Sequence, residues 1–231
     1  MRGVMFAASL LLTTTMGAWA AESAEQRLDD SARVISEIMS APDKGIPQDL
    51  LNKAQCVIIL PGLKKAAFVV GGEYARGYAV CRRESGTGWT APAGMSFEGG
   101  SVGFQIGASQ TDIVMLVMNR SGMEKLLGNK ITLGADASVA AGPVGRTTTA
   151  NTDLRMTAEI LAWSRAKGLF AGVSLNGATL RPDTKVNAEL YGHEMNTRQI
   201  VMGDVKPPAA AHPLIAELDR YSSYANADRA K

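Results

Sequence analysis

Glycine is the feature that most narrows what this chain can become. Eighteen of its 24 glycines fall between residues 71 and 177, several of them inside stretches that otherwise read as β-strand. Residues 101–108 alternate strictly, with Val102, Phe104, Ile106 and Ala108 toward one face and Ser101, Gly103, Gln105 and Gly107 toward the other. That period of two is a strand signal. Glycine weakens a strand unless it marks a bulge, a sharp bend or a close approach. Repeated on one face of several strands, it lets a sheet curl tightly or lets something pack directly on the backbone. We read the pattern first as curl and second as a binding surface.

The rest of the chain supplies the partners of such a sheet. Ser23 and Gln26 form a capping box ahead of an amphipathic helix over residues 23–39, with Leu28, Ala32, Ile35 and Met39 on one face. A short helix is expected over 47–54, with Pro47 at the first helical position. Residues 56–60 form an apolar run stopped by Pro61-Gly62, with Lys64-Lys65 in the turn beyond. Residues 66–70 and 76–82 read as strands flanking Gly71-Gly72, and residues 85–88 as a turn. The continuous apolar run over 112–119 has the length of a strand buried on both faces. Ser121 and Glu124 are expected to cap a short helix closed by Gly128. Further alternations run through 133–140 and 169–176, while 159–165 fits strand or helix. A helix from Asp183 to Tyr191 should end at Gly192, and Pro207-Pro208 leads to a last helix over 213–224 with Leu214, Leu218 and Tyr221 inward.

Residues 1–20 have the layout of a secretory leader: Arg2, an apolar stretch over 4–12, then Ala18-Trp19-Ala20 as a cleavage site. The expectation is an exported, periplasmic protein cut after Ala20, with one domain over 21–206 and a Pro-rich linker and helix over 207–231. Charge is uneven along it. Residues 21–59 hold four basic and seven acidic side chains, residues 60–181 thirteen and eight, and residues 182–231 six and seven. The basic middle suits an anionic partner, or is plain surface scatter. Nucleic acid is an unsuitable partner for an exported chain so close to neutral. Cys56 and Cys81 flank apolar runs, and they either pair as a disulfide or stay as two buried thiols.

Little here points to catalysis. His193 and His212 have no second histidine or cysteine at ligand spacing, so no metal or cofactor is expected. No Gly-x-Ser-x-Gly elbow occurs, and no glycine-rich loop opens a helix in the phosphate-cradling pattern. The basic residues are more suggestive. Lys64 and Lys65 follow Pro61-Gly62, while Arg76, Arg146 and Lys167 each sit beside a glycine. A cation next to open backbone amides can hold a phosphate or carboxylate, or can simply be solvated.

Four blocks appear in a familiar order: CVIILPGLKKAAFVVGGEYARGYAV, GWTAPAGMSFEGGSVGFQIGASQTDIVMLVMN, ITLGADASVAAGPVGR and SRAKGLFAGVSLNGATL. Together they resemble the SYLF domain family of actin-regulator-like lipid-binding domains, over roughly residues 25–205. The resemblance implies an α+β fold: a curved, mostly antiparallel, Gly-rich and barrel-like sheet with helices at its N- and C-terminal ends. It implies a non-enzymatic domain binding phosphoinositides or other acidic lipids through basic residues and an N-terminal amphipathic helix, and bacterial members are mostly exported. Ala67 departs from the glycine usual after Lys-Ala. The N-terminal helix is ringed by Glu22, Glu25, Asp29, Asp30 and Glu37, unlike a membrane-surface helix. It is therefore expected to pack on its own sheet, leaving Lys64, Lys65, Arg76, Arg146 and Lys167 as the lipid-headgroup residues. An envelope protein, rather than a lipid, is the alternative partner.

Overall fold

The structure, a computed structural model, describes residues 22–41, 45–67, 70–102, 110–144, 157–166 and 169–222. The expected leader over 1–20, residues 103–108 of the expected alternation, Arg146 and Lys167 lie outside the described residues.

Among the described residues nine strands form one sheet: β1 (Cys56–Ala67), β2 (Val70–Cys81), β3 (Ala93–Val102), β4 (Gln110–Val117), β5 (Ile131–Thr132), β6 (Val139–Ala141), β7 (Ile160–Ala166), β8 (Leu169–Gly172) and β9 (Thr179–Pro182). Their spatial order is β5-β9-β3-β2-β1-β4-β7-β6, with β8 also paired to β7. Every pairing is antiparallel except that of β6 with β7. The sheet is curled into a half-barrel. Ile131 and Leu180, from β5 and β9, share one buried cluster with Ile160 and Ala162 of β7, near the other end of the strand order.

Helices cover both faces: Leu28, Leu51, Val186 and Leu214 pack into the outer cluster, while Leu126 and Ile200 pack into the inner one. α1 (Ala24–Ser40) starts at the Ser23–Gln26 capping box. It buries Leu28, Ile35 and Ile38 against Val57 and Ile59 of β1 and Tyr78 of β2. Ile38, rather than the expected Met39, is the fully buried residue of the last turn. Tyr78 donates to the Ala24 carbonyl at 2.6 Å and fixes the helix start on the sheet. α2 (Gln48–Lys53) follows, then α3 (Arg120–Leu126). α3 is capped by Asn119, whose Oδ1 accepts from the Gly122 amide at 2.8 Å, and not by the expected Ser121. α4 (Thr184–Tyr191) has Asp183 as its cap and ends at Gly192 in the left-handed conformation, as expected. α5 (Thr197–Met202) is absent from the sequence expectation, although Asn196 and Gln199 make a capping box. α6 (His212–Ser222) buries Leu214 and Leu218 in the outer cluster beside α1.

Four strand expectations need correction. Pro61-Gly62 does not end β1. Ile59 pairs with Tyr78 and Lys64 with Tyr74, so β1 carries one residue more than β2 over that span. The same surplus appears against β4. Pro61-Gly62 is thus a bulge inside a long strand, with Gly62 at φ 61°. Proline is tolerated there because a bulge already interrupts the ladder. Lys64-Lys65 consequently belong to a strand, and Gly71-Gly72 lie within β2 rather than between strands. The alternation over 133–140 is broken by a turn, with Leu133 and Ala137 meeting in an isolated bridge. That over 169–176 stops as a strand at Gly172. Residues 159–165 resolve as strand, in β7. The run over 112–119 is β4, and Ile113 to Val117 are buried on both faces.

Close approach explains several glycines. A Cβ on Gly77 would strike the Ile59 carbonyl beside the bulge. One on Gly94 would meet Val186 at 2.9 Å, where α4 lies on the sheet. One on Gly142 would enter the Trp163 ring.

Candidate functional site

The antiparallel registers carry three strand junctions to one end of the sheet: Ala67 with Val70, Val102 with Gln110, and Ala166 with Leu169. β6 runs parallel to β7 and so points to the same end. Cys56, Cys81 and the 82–92 connection mark the opposite end.

Lys64 sits on β1 near the junction end, exposed, with Tyr74 of β2 opposite on one side and Gln110 of β4 on the other. Among the described residues it makes no ion pair. Lys65 follows, paired through its backbone with Glu73. Arg76 lies two positions along β2 from Tyr74 but is engaged: its Nε donates to Asp183 Oδ2 at 2.6 Å. Asp183 also caps α4, accepting from the Val186 amide at 3.1 Å. Lys64 and Lys65 are thus consecutive residues of one strand rather than a turn pair, while Arg76 locks α4 to the sheet.

Burial alone would raise the Asp183 carboxyl. The Arg76 guanidinium and the Val186 amide outweigh it and hold that group below the usual carboxylate range. A depressed folded-state pKa gives stability that is present above the unfolded value and lost as pH falls through the folded one. The melting temperature should accordingly decline from about pH 4 downward, and Asp183→Asn should shrink that decline. Melting curves of both proteins between about pH 7 and about pH 3 check this; parallel profiles would refute it.

Sequence reasoning missed a second charged array at this end. The Gly62 amide, freed by the bulge, donates to Asp112 Oδ1 at 2.9 Å. Arg165 of β7 reaches Asp112 Oδ2 at 2.7 Å, and it also pairs with Glu37 of α1. The array ties β1, β4, β7 and α1 together, so Arg165 is a brace rather than an open cation. The signal was the isolated Asp112 heading an apolar strand.

The opposite end is closed differently. Cys56 and Cys81 face each other in register and are joined by a disulfide, both fully buried. Arg82 stacks on Trp89, 3.7 Å from its ring centroid, and donates to the Ser222 carbonyl at 2.5 Å and to Ser222 Oγ. Trp89 Nε1 donates to the same carbonyl at 3.0 Å. The end of α6 is thereby fastened to the base of β2. A cleft of about 270 Å³ lies nearby between Arg83, Thr90 and the end of α5. Arg83 already donates to the Trp89 carbonyl at 2.9 Å and pairs with Asp204 at 3.7 Å. Among the described residues no group of three His, Cys, Asp or Glu side chains could hold a metal ion, and no helix is long and apolar enough to cross a membrane.

The family model described as Ysc84, Las17-binding protein actin regulator, matches residues 98–221, from β3 to α6. The chain belongs to the Ysc84 family. This is the SYLF family whose sequence blocks it carries. It is 35% identical over 193 residues to the human SH3 domain-containing YSC84-like protein 1, covering 82% of this chain and 56% of that protein. It is 34% identical over 180 residues to the Saccharomyces cerevisiae LAS seventeen-binding protein 3, covering 77% of this chain and 39% of that protein. A Schizosaccharomyces pombe SH3 domain-containing protein is 37% identical over 178 residues, covering 75% of this chain and 41% of its own length. The chain thus spans about half or less of the curated relatives it matches. None of these names is that of an enzyme.

Proposed function

We propose that this Ysc84-family domain binds acidic lipid headgroups, phosphoinositide-like or of another anionic phospholipid, at the cell envelope and leaves them chemically unchanged. The observation that carries the reading is Lys64: an exposed cation without an ion pair among the described residues, beside Tyr74 at the end where the strands join. A cation held on a rigid strand can take a phosphate oxygen without an ordering cost in the backbone. The leader sequence supports export to the periplasm with cleavage after Ala20.

Co-sedimentation with vesicles tests it. Binding to phosphatidylglycerol-containing vesicles should exceed binding to pure phosphatidylcholine and should weaken as salt rises. Lys64→Glu should lower the anionic-vesicle affinity roughly thirtyfold, since each cation near such a surface contributes on the order of 1 kcal/mol and reversal counts twice. Equal, salt-insensitive binding to both vesicle types would overturn the proposal.

A second reading follows from the upper half of β3. β9 pairs with β3 only from Met95 to Glu98, so residues 99–102 have no strand partner on that side among the described residues. Such an edge accepts an extended peptide, and the family description names a protein partner, Las17. Capture of an envelope protein without any lipid preference would favour that reading.

A further inference from the structure

We infer that the domain meets the bilayer end-on, with Tyr74 and Leu169 entering the interface as apolar anchors beside Lys64. The inference rests on the lipid-binding reading above and adds an orientation and a hydrophobic component to it. Four large apolar side chains are exposed among the described residues: Tyr74 at 46%, Val144 at 37%, Leu169 at 60% and Met202 at 39%. Three of them belong to the junction end. Tyr74 lies opposite Lys64 near the start of β2, Leu169 opens β8 opposite Ala166, and Val144 follows β6, which points the same way. Exposed apolar side chains scattered singly are ordinary, but a rim of them on converging strand ends marks an interaction surface.

Charge selects the occupant and the orientation. Tyrosine carries an apolar ring with a polar tip, the chemistry of the membrane-water boundary. Lys64 beside it can lay its stem along acyl chains while its ammonium stays among headgroups. Docking through the α1 face would instead press the exposed Glu22, Glu25 and Asp29 against an anionic surface. At the junction end Asp112 and Glu37 share Arg165, and Arg181 lies 3.8 Å from Glu98.

An environment-sensitive dye placed at each surface decides the matter. Leu169→Cys and, as the comparison at the opposite end, Ser85→Cys are labelled with nitrobenzoxadiazole; the native cysteines are buried in their disulfide and take no label. With phosphatidylglycerol vesicles the dye at 169 should shift to the blue and be quenched by nitroxide-labelled lipid, while the dye at 85 should do neither. Tyr74→Ser with Leu169→Ser should weaken binding to those vesicles roughly tenfold and leave a residue of purely salt-sensitive binding. Both sites are exposed, so the double variant should keep the wild-type melting temperature, which is checked alongside. If the protein binds the vesicles but the dye at 169 stays in water, the end-on inference falls and lipid binding stands. If it binds no vesicles, both fall together.

Discussion

Gly77→Val is expected to leave no soluble folded protein, whereas Gly72→Ala on the same strand should be nearly silent. The two glycines differ in what a side chain would meet. A Cβ at Gly77 runs into the carbonyl of Ile59, a main-chain atom held by two neighbouring strands beside the β1 bulge. Backbone in the centre of a sheet cannot step aside as a flexible side chain can. The expected cost is roughly 4 kcal/mol or more, the range reserved for severe overpacking. Against a total stability of about 5–15 kcal/mol, that removes most of the fold's margin. Around Gly72 nothing lies within 4 Å, and its backbone is not left-handed. Alanine there should change stability by less than about 0.5 kcal/mol. Soluble yield and urea unfolding of the two variants check the contrast; comparable stability for both would refute the close approach of Gly77 to the Ile59 carbonyl.

Reducing the Cys56–Cys81 bond is the second large effect. The bond closes a loop of 25 residues, and the chain-entropy relation gives about 3.5 kcal/mol for that length. For a domain of this size the melting temperature should drop by about 10 °C in Cys56→Ala with Cys81→Ala. Both cysteines are fully buried between β1, β2 and the inner core. Reductant should therefore reach the sulfurs only when the structure opens, and thiol release should be slow in native buffer and fast in urea. A double variant melting with the wild type would show that the pairing of β1 and β2 needs no such tie.

Much of the architecture was legible because its signals are local. The Ser23–Gln26 box, the Asp183 cap and the Gly192 stop each concern residues within one turn, and all three hold. β4 was legible because residues buried on both faces leave a run with no polar interruption. The misreadings share a cause. Pro61-Gly62 is a stop by local rules, yet neighbours on both sides keep β1 paired through it. Arg76 and Lys64 look alike in sequence; only the fold reveals that Asp183, far along the chain, answers one of them. The exposed rim of Tyr74 and Leu169 was illegible for a similar reason, since exposure depends on which strands adjoin. Glycine told the truth about curl without saying which glycine meets what.

α1 rests against α6, the last helix described, and against strands from the middle of the chain. A ribosome releases α1 first and its cover last. Until α6 emerges and the Arg82–Trp89–Ser222 fastening can close, the apolar stripe of α1 has nothing complete to lie on. Ends so far apart in sequence also carry a loop-closure cost that must be met before any contact between them repays it. The nascent chain should thus remain unfinished for most of its synthesis, and a holding chaperone would find its natural handle in that stripe.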